Sequence, residues 1–118
     1  DIVNLYGGGN ACFLHTVGSG ENLAKHVDPG RKCCITFPLI PDYSNYRSCE
    51  YYDSFEETEP AHIVDYSKIK SCVLLNNQKI HKLETNTNGI ESLCFQIDFM
   101  TTDYITIRKM LSNKGLLI

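Results

Sequence analysis

No apolar run in this 118-residue chain approaches the roughly 20 residues that cross a bilayer as a helix, so a membrane is not among the expected partners. Positive charge is scarce and dispersed. Eleven Lys and Arg against fourteen Asp and Glu give a net charge of -3, the wrong sign for a phosphate backbone, so nucleic acid is not expected either. No two cysteines stand as Cys-x-x-Cys, and the four histidines, His15, His26, His62 and His81, lack the i, i+4 spacing of a zinc motif. No metal and no other cofactor is therefore expected, and the histidines read as surface or half-buried side chains. There is no Asn-x-Ser/Thr sequon to indicate N-glycosylation. The chain opens at Asp1 with neither a methionine nor an apolar leader, which reads as a mature or trimmed product. Gly7, Gly8 and Gly9 are followed by no Lys-Ser/Thr, and the next pattern is a strand rather than a helix N-terminus, which argues against a phosphate cradle. Residues 1–10 are expected to be a flexible entry.

What is present is globular in composition: 42% hydrophobic, 21% charged, with seven Tyr and five Phe. The length suits a single domain, residues 1–118, with a core of its own and a need for extra covalent support. Six cysteines, Cys12, Cys33, Cys34, Cys49, Cys72 and Cys94, are even in number and widely spread, as in a disulfide framework formed in an oxidising compartment. The stretch Arg31 to Leu39 organises that framework. In an extended strand Cys33, Ile35, Phe37 and Leu39 face one side while Cys34 and Thr36 face the other. Adjacent cysteines rarely bond to each other without strain, so each sulfur is expected to reach a separate partner. The pairing stays open.

Along the chain, Ala11 to Val17 alternates as a strand, and Ser19 can cap a short helix ending at Val27 before the turn Asp28-Pro29-Gly30. Pro38 and Pro41 place the Cys33 strand at a sheet edge or end it there. Asp42 to Ser48 reads as a polar loop and residues 49–55 as a weak strand. The acidic stretch Glu50 to Asp65 carries six acids and no Lys or Arg. Residues 63–70 fit either a helical turn or extended chain. Cys72 to Leu75 and Lys79 to Leu83, separated by Asn76, Asn77 and Gln78, read as a β-hairpin. In the stretch 93–100, Leu93, Phe95, Ile97 and Phe99 alternate with Cys94, Gln96, Asp98 and Met100, as in a central strand with one buried face. Thr101 or Thr102 can cap a final helix to about Asn113, stopped by Gly115. The fold class is then α+β: one antiparallel sheet of about four strands with two short helices, stapled by disulfides.

No catalytic residue is assigned. An even set of cysteines leaves no thiol spare for a Cys-His nucleophile. The acids of Glu50 to Asp65 fit a solvated loop better than a glycosidase pair, and an acid-base pair built on His15 and His62 has no supporting motif. Recognition is better represented. Tyr43, Arg47, Tyr51 and Tyr52 gather the residue types enriched at protein hot spots in what reads as a loop region.

Read with Tyr6-Gly7-Gly8, Cys49 and Ile69-Lys70-Ser71-Cys72-Val73-Leu74, the stretch Arg31-Lys32-Cys33-Cys34-Ile35-Thr36-Phe37-Pro38-Leu39 resembles the LARS family of small secreted avirulence effectors of plant-pathogenic fungi. The resemblance lies in the cysteine layout of residues 6–94. It implies a disulfide-bonded α+β domain with a four-stranded antiparallel sheet and no known enzymatic chemistry, secreted during infection and acting on plant immunity. It further implies recognition by host resistance proteins and, in some members, interference with the recognition of a sibling effector, and no functional residue carries over. The expectation is thus a secreted, monomeric, non-enzymatic effector that binds host plant protein in the apoplast or inside host cells. A small secreted hydrolase or RNase-like protein, and a secreted inhibitor or toxin, are the alternatives.

Overall fold

The computed structural model describes residues 2–8, 11–17, 24–40, 46–69, 71–85 and 91–117. Eight strands form two antiparallel sheets. β1 (Ile2–Gly8), β2 (Ala11–Val17), β8 (Glu91–Phe99), β3 (Cys33–Ile40) and β6 (Val73–Asn76) make a five-stranded sheet in that spatial order. β5 (His62–Asp65), β4 (Tyr46–Tyr52) and β7 (Ile80–Thr85) make a three-stranded one. A 3₁₀ turn, Tyr66–Lys68, follows β5, and one helix, α1 (Tyr104–Asn113), follows β8. The antiparallel α+β expectation holds coarsely, with two sheets in place of one and a predominance of strand. No described helix is long and apolar enough to cross a membrane.

The glycine-rich entry is itself a strand: Gly7 and Gly8 pair with Cys12 and Ala11, because an established β2 supplies the ladder that free glycines would not form alone. The helix expected up to Val27 is absent from its described part, residues 24–27, where His26 makes a β-bridge to His81 instead. The Cys72–Leu83 hairpin is also corrected. β6 pairs with β3 and β7 pairs with β4, so the turn at Asn77 and Gln78 carries the chain from one sheet to the other. Asn77 is held there by its backbone, whose N–H donates to Lys32 (3.0 Å) and whose carbonyl accepts from Asp28 (3.1 Å).

The proline expectation holds locally. As a whole β3 is interior, between β8 and β6, and it runs through Pro38 to end at Ile40 before Pro41. β6 flanks it only as far as Thr36, so among the described residues Pro38 has only β8 beside it and its missing N–H breaks no second ladder. β8 is central, as predicted, between β2 and β3. The buried face is the one that carries Cys94. Cys94 and Gln96 are 2% and 6% exposed, whereas Phe95 and Ile97 on the opposite face are only half-buried. Register places Cys12, Leu14, Cys34, Thr36 and Leu75 on the Cys94 face, which looks toward the smaller sheet. The buried cluster is Cys49, Tyr51, Tyr66 and Cys94, with Leu14, Val64, Ile69, Val73 and Leu83 packed against it.

Phe13, Phe37 and Phe95 line the other face, with ring centroids 5.3 Å apart for Phe13–Phe95 and 6.0 Å for Phe37–Phe95. Phe13 is 42% exposed. α1 packs against β6 through a buried Ile107. It is capped by Asp103, whose carboxylate accepts from the Thr106 N–H at 2.9 Å, rather than by Thr101 or Thr102, and such caps contribute about 1 kcal/mol. Gly115, at φ 69°, stops the helix as expected.

Candidate functional site

The segment 24–32 straps the two sheets together. At one end the His26 N–H donates to the His81 carbonyl (3.0 Å), and the His26 carbonyl accepts from the His81 N–H (2.9 Å). At the other end the Lys32 N–H donates to Phe99 on β8 (2.9 Å). Between them the Asp28-Pro29-Gly30 turn reverses the chain, with Gly30 at φ 82°, a conformation that favours glycine.

This strap builds a polar cluster. Asp28 Oδ2 accepts from Arg31 Nη2 (2.6 Å), Arg31 Nε (3.2 Å) and Asn77 Nδ2 (2.7 Å). Asp28 Oδ1 faces His26 Nε2 at 3.1 Å, and His81 Nε2 lies 3.8 Å from Oδ2. The imidazoles of His26 and His81 lie with centroids 4.3 Å apart. The second arm of the guanidinium, Nη1, reaches Asp98 Oδ1 at 3.1 Å, which also accepts from Gln96 Nε2 at 2.8 Å. Burial opposes ionisation of Asp28, yet the hydrogen bonds and charge of Arg31, with His81 and Asn77, hold its carboxyl below the usual carboxylate range. Burial likewise opposes the Arg31 charge, but Asp28, Cys34 and Asp98 raise its pKa above the ordinary value. Burial lowers the His81 pKa, only partly offset by the Lys79 carbonyl and Asp28.

His26, Arg31, Asn77 and His81 of this cluster line a cavity of about 190 Å³ between the sheets, with Cys34, Cys49, Cys94 and Tyr51 among its other walls. That is smaller than the roughly 300 Å³ at which small-molecule pockets begin, and suits an ion or a few waters rather than a metabolite. Burial pushes the Cys34 thiol up to about 12 and those of Cys49 and Cys94 up to about 11, so none is a poised nucleophile. Tyr51, buried beside Cys49, is also raised.

All six cysteines stand as thiols, without the expected staples. Register gives a geometric reason for two of the missing pairs. Cys12, Gln96, Thr36 and Val73 lie in one row across four strands, which puts Cys12 roughly 14 Å from Val73, the residue next to Cys72, twice the reach of a disulfide. Cys34 lies opposite Asp98, four residues along β8 from Cys94, about 13 Å away. As expected, Cys33 faces away from Cys34; its Sγ lies 3.5 Å from the Thr102 carbonyl. Cys49 is the sole cysteine on the smaller sheet and shares the cavity with Cys34 and Cys94.

Of the residues assigned to partner binding, Tyr43 lies outside the described residues. Arg47 is on β4, not in a loop. Tyr51 and Tyr52 are buried, at 9% and 6% exposure. Tyr51 packs 5.9 Å from the His81 ring, and Tyr52 lies under the Lys25 ammonium (4.1 Å) and donates to Glu50 Oε2 (2.6 Å). These two serve the core and its edge. His15 and His62 belong to different sheets, on β2 and β5. Sequence reasoning missed the His26, Asp28, Arg31, Asn77 and His81 cluster. Its only local signal is the spacing His26-x-Asp28-x-x-Arg31, because the other two residues arrive through a long-range bridge. The chain matches no family model and no curated protein.

The buried thiols set an alkaline limit. Above their ordinary value of 9, the unfolded chain ionises Cys49 and Cys94, while the folded chain holds them protonated to about 11. Reduced protein should therefore lose stability as pH rises through that window, with each pKa unit per thiol worth about 1.4 kcal/mol, and show no such effect below it. Urea midpoints measured under reductant from about pH 8 to about pH 11 test this; a flat profile would contradict the burial of these thiols.

Proposed function

We propose that this chain is a secreted, non-enzymatic effector that acts by binding a host plant protein through the outer face of its five-stranded sheet. The observation that carries the reading is the orientation of β8: the Cys94 and Gln96 side is buried and the aromatic side, with Phe13, Phe37 and Phe95, is turned outward and left partly open. Large apolar surface on a small fold is costly to leave in water, and rigid aromatic rings are the side chains on which protein partners dock most strongly. The cysteine layout supports the effector reading through its family resemblance. The interface proposed from sequence moves accordingly from Tyr51 and Tyr52 to this face, which does not include Arg47 of the smaller sheet.

In an oxidising compartment the cavity supports one inter-sheet disulfide, from Cys49 to Cys34 or Cys94, because these sulfurs come from opposite sheets. Peptide mapping without reductant should recover Cys49 linked to one of them and no Cys12–Cys72 peptide; a Cys12–Cys72 link would overturn the register argument.

Expression in leaves of a panel of host genotypes, with and without a secretion signal, tests the function. Cell death restricted to some genotypes is expected, and Phe13→Glu or Phe37→Glu should abolish it while the variants stay folded. Death unchanged in both variants would remove the sheet face, and no genotype-restricted response from folded protein would favour the inhibitor or hydrolase readings.

A further inference from the structure

The His26, Asp28 and His81 cluster does more than tie the strap to β7. We propose that these three side chains form a site for a divalent cation of the zinc class, independently of the effector reading. Their ligand atoms lie within 4.8 Å of one another, close enough to converge on one ion with small side-chain adjustments.

The orientation of the imidazoles carries the inference. His26 Nδ1 lies 2.7 Å from the Ala24 carbonyl and His81 Nδ1 lies 2.8 Å from the Lys79 carbonyl. A carbonyl can only accept, so each Nδ1 carries the proton. In the neutral rings both Nε2 lone pairs then face Asp28. Metal-bound histidines are oriented in the same way, with the far nitrogen donating to a backbone carbonyl and the near one kept free for the ion. The reciprocal backbone bonds between His26 and His81 fix the spacing of the two rings at their base.

The carboxylate is prepared too. Asp28 Oδ2 is saturated by Arg31 and Asn77, which leaves Oδ1 as the oxygen directed at His26 and available to an ion. The guanidinium does not cancel the site's charge, because Asp98 neutralises its other arm: two carboxylates against one arginine leave one negative charge. Asn77 Oδ1, buried and without a hydrogen-bond partner, belongs to a residue lining the same cavity. A buried carbonyl oxygen with no donor is rare, and an ion or its bound water would satisfy it. Two imidazoles and one carboxylate suit zinc, nickel or copper rather than calcium or magnesium, which favour oxygen ligands.

The test is titration of the chelator-treated full chain with Zn(II) by calorimetry, and with Co(II) by absorption. The expected result is one ion per chain, with the weak d–d bands of nitrogen and oxygen ligands and no thiolate charge-transfer band. His26→Gln leaves the backbone bridge in place and alters a side chain one-third exposed, so it should fold. It and His81→Gln should each weaken binding by more than about 100-fold, the upper end of what losing an outer-shell partner costs. The proposal is overturned by folded protein that takes up no metal, in which case the cluster is the Asp28–Arg31 ion pair and its hydrogen bonds. It is equally overturned by binding undiminished in His26→Gln, or by a thiolate band that assigns the ion to the cysteines.

Discussion

Arg31 holds two carboxylates that belong to different parts of the fold: Asp28 on the strap and Asp98 on β8. The remaining architecture depends on that grip. Asp98 in turn receives Gln96, and Gln96 accepts from Thr36 at 3.3 Å, so hydrogen bonds run from β3 through β8 to the strap. Asp28 continues the chain to Asn77, where the backbone crosses from the large sheet to the small one. A half-buried ion pair gains little over an apolar pair of the same shape, but removal of one partner strands the other. Its value here is specificity. It determines which face of β8 looks inward and where the strap lies.

That network explains where sequence patterning fails. Strict alternation in Leu93 to Met100 reveals a central strand correctly, yet simple hydrophobicity assigns the aromatic side to the interior. Gln96 is buried and Asp98 half-buried instead, because each finds a partner that a short sequence window cannot reveal. The Asn76–Gln78 turn looks like a hairpin for the same reason: its strands alternate well, but the bonds of Asn77 to Asp28 and Lys32 come from a segment more than forty residues earlier. Gly7 and Gly8 have no local preference for a strand and take one from β2. By contrast, the Gly115 stop, the Asp28-Pro29-Gly30 turn and the opposite orientations of Cys33 and Cys34 depend on local geometry, and all were legible.

Legibility of the site follows the same division. Its strap half, His26-x-Asp28-x-x-Arg31, is contiguous, whereas its second half, Asn77 and His81, is delivered by tertiary pairing. Aromatic composition pointed to recognition, but residue type alone could not tell an exposed tyrosine from one packed on a histidine. Tyr51 and Tyr52 are consumed by packing, and the aromatic surface falls to the phenylalanines of β2, β3 and β8. The fold thus has two distinct places of interest, a polar side-chain cluster beside the inner cavity and an apolar sheet face outside. A variant on one need not disturb the other.

The coupling between Arg31 and Asp28 tests the account most directly. A double-mutant cycle with Arg31→Met and Asp28→Asn, read from urea unfolding midpoints, should give an interaction energy of about 1 to 3 kcal/mol, because each single variant strands the partner that the double variant removes. Additivity to within about 0.5 kcal/mol would mean that the two residues do not act as one unit, and would contradict the organisation of the fold around this pair.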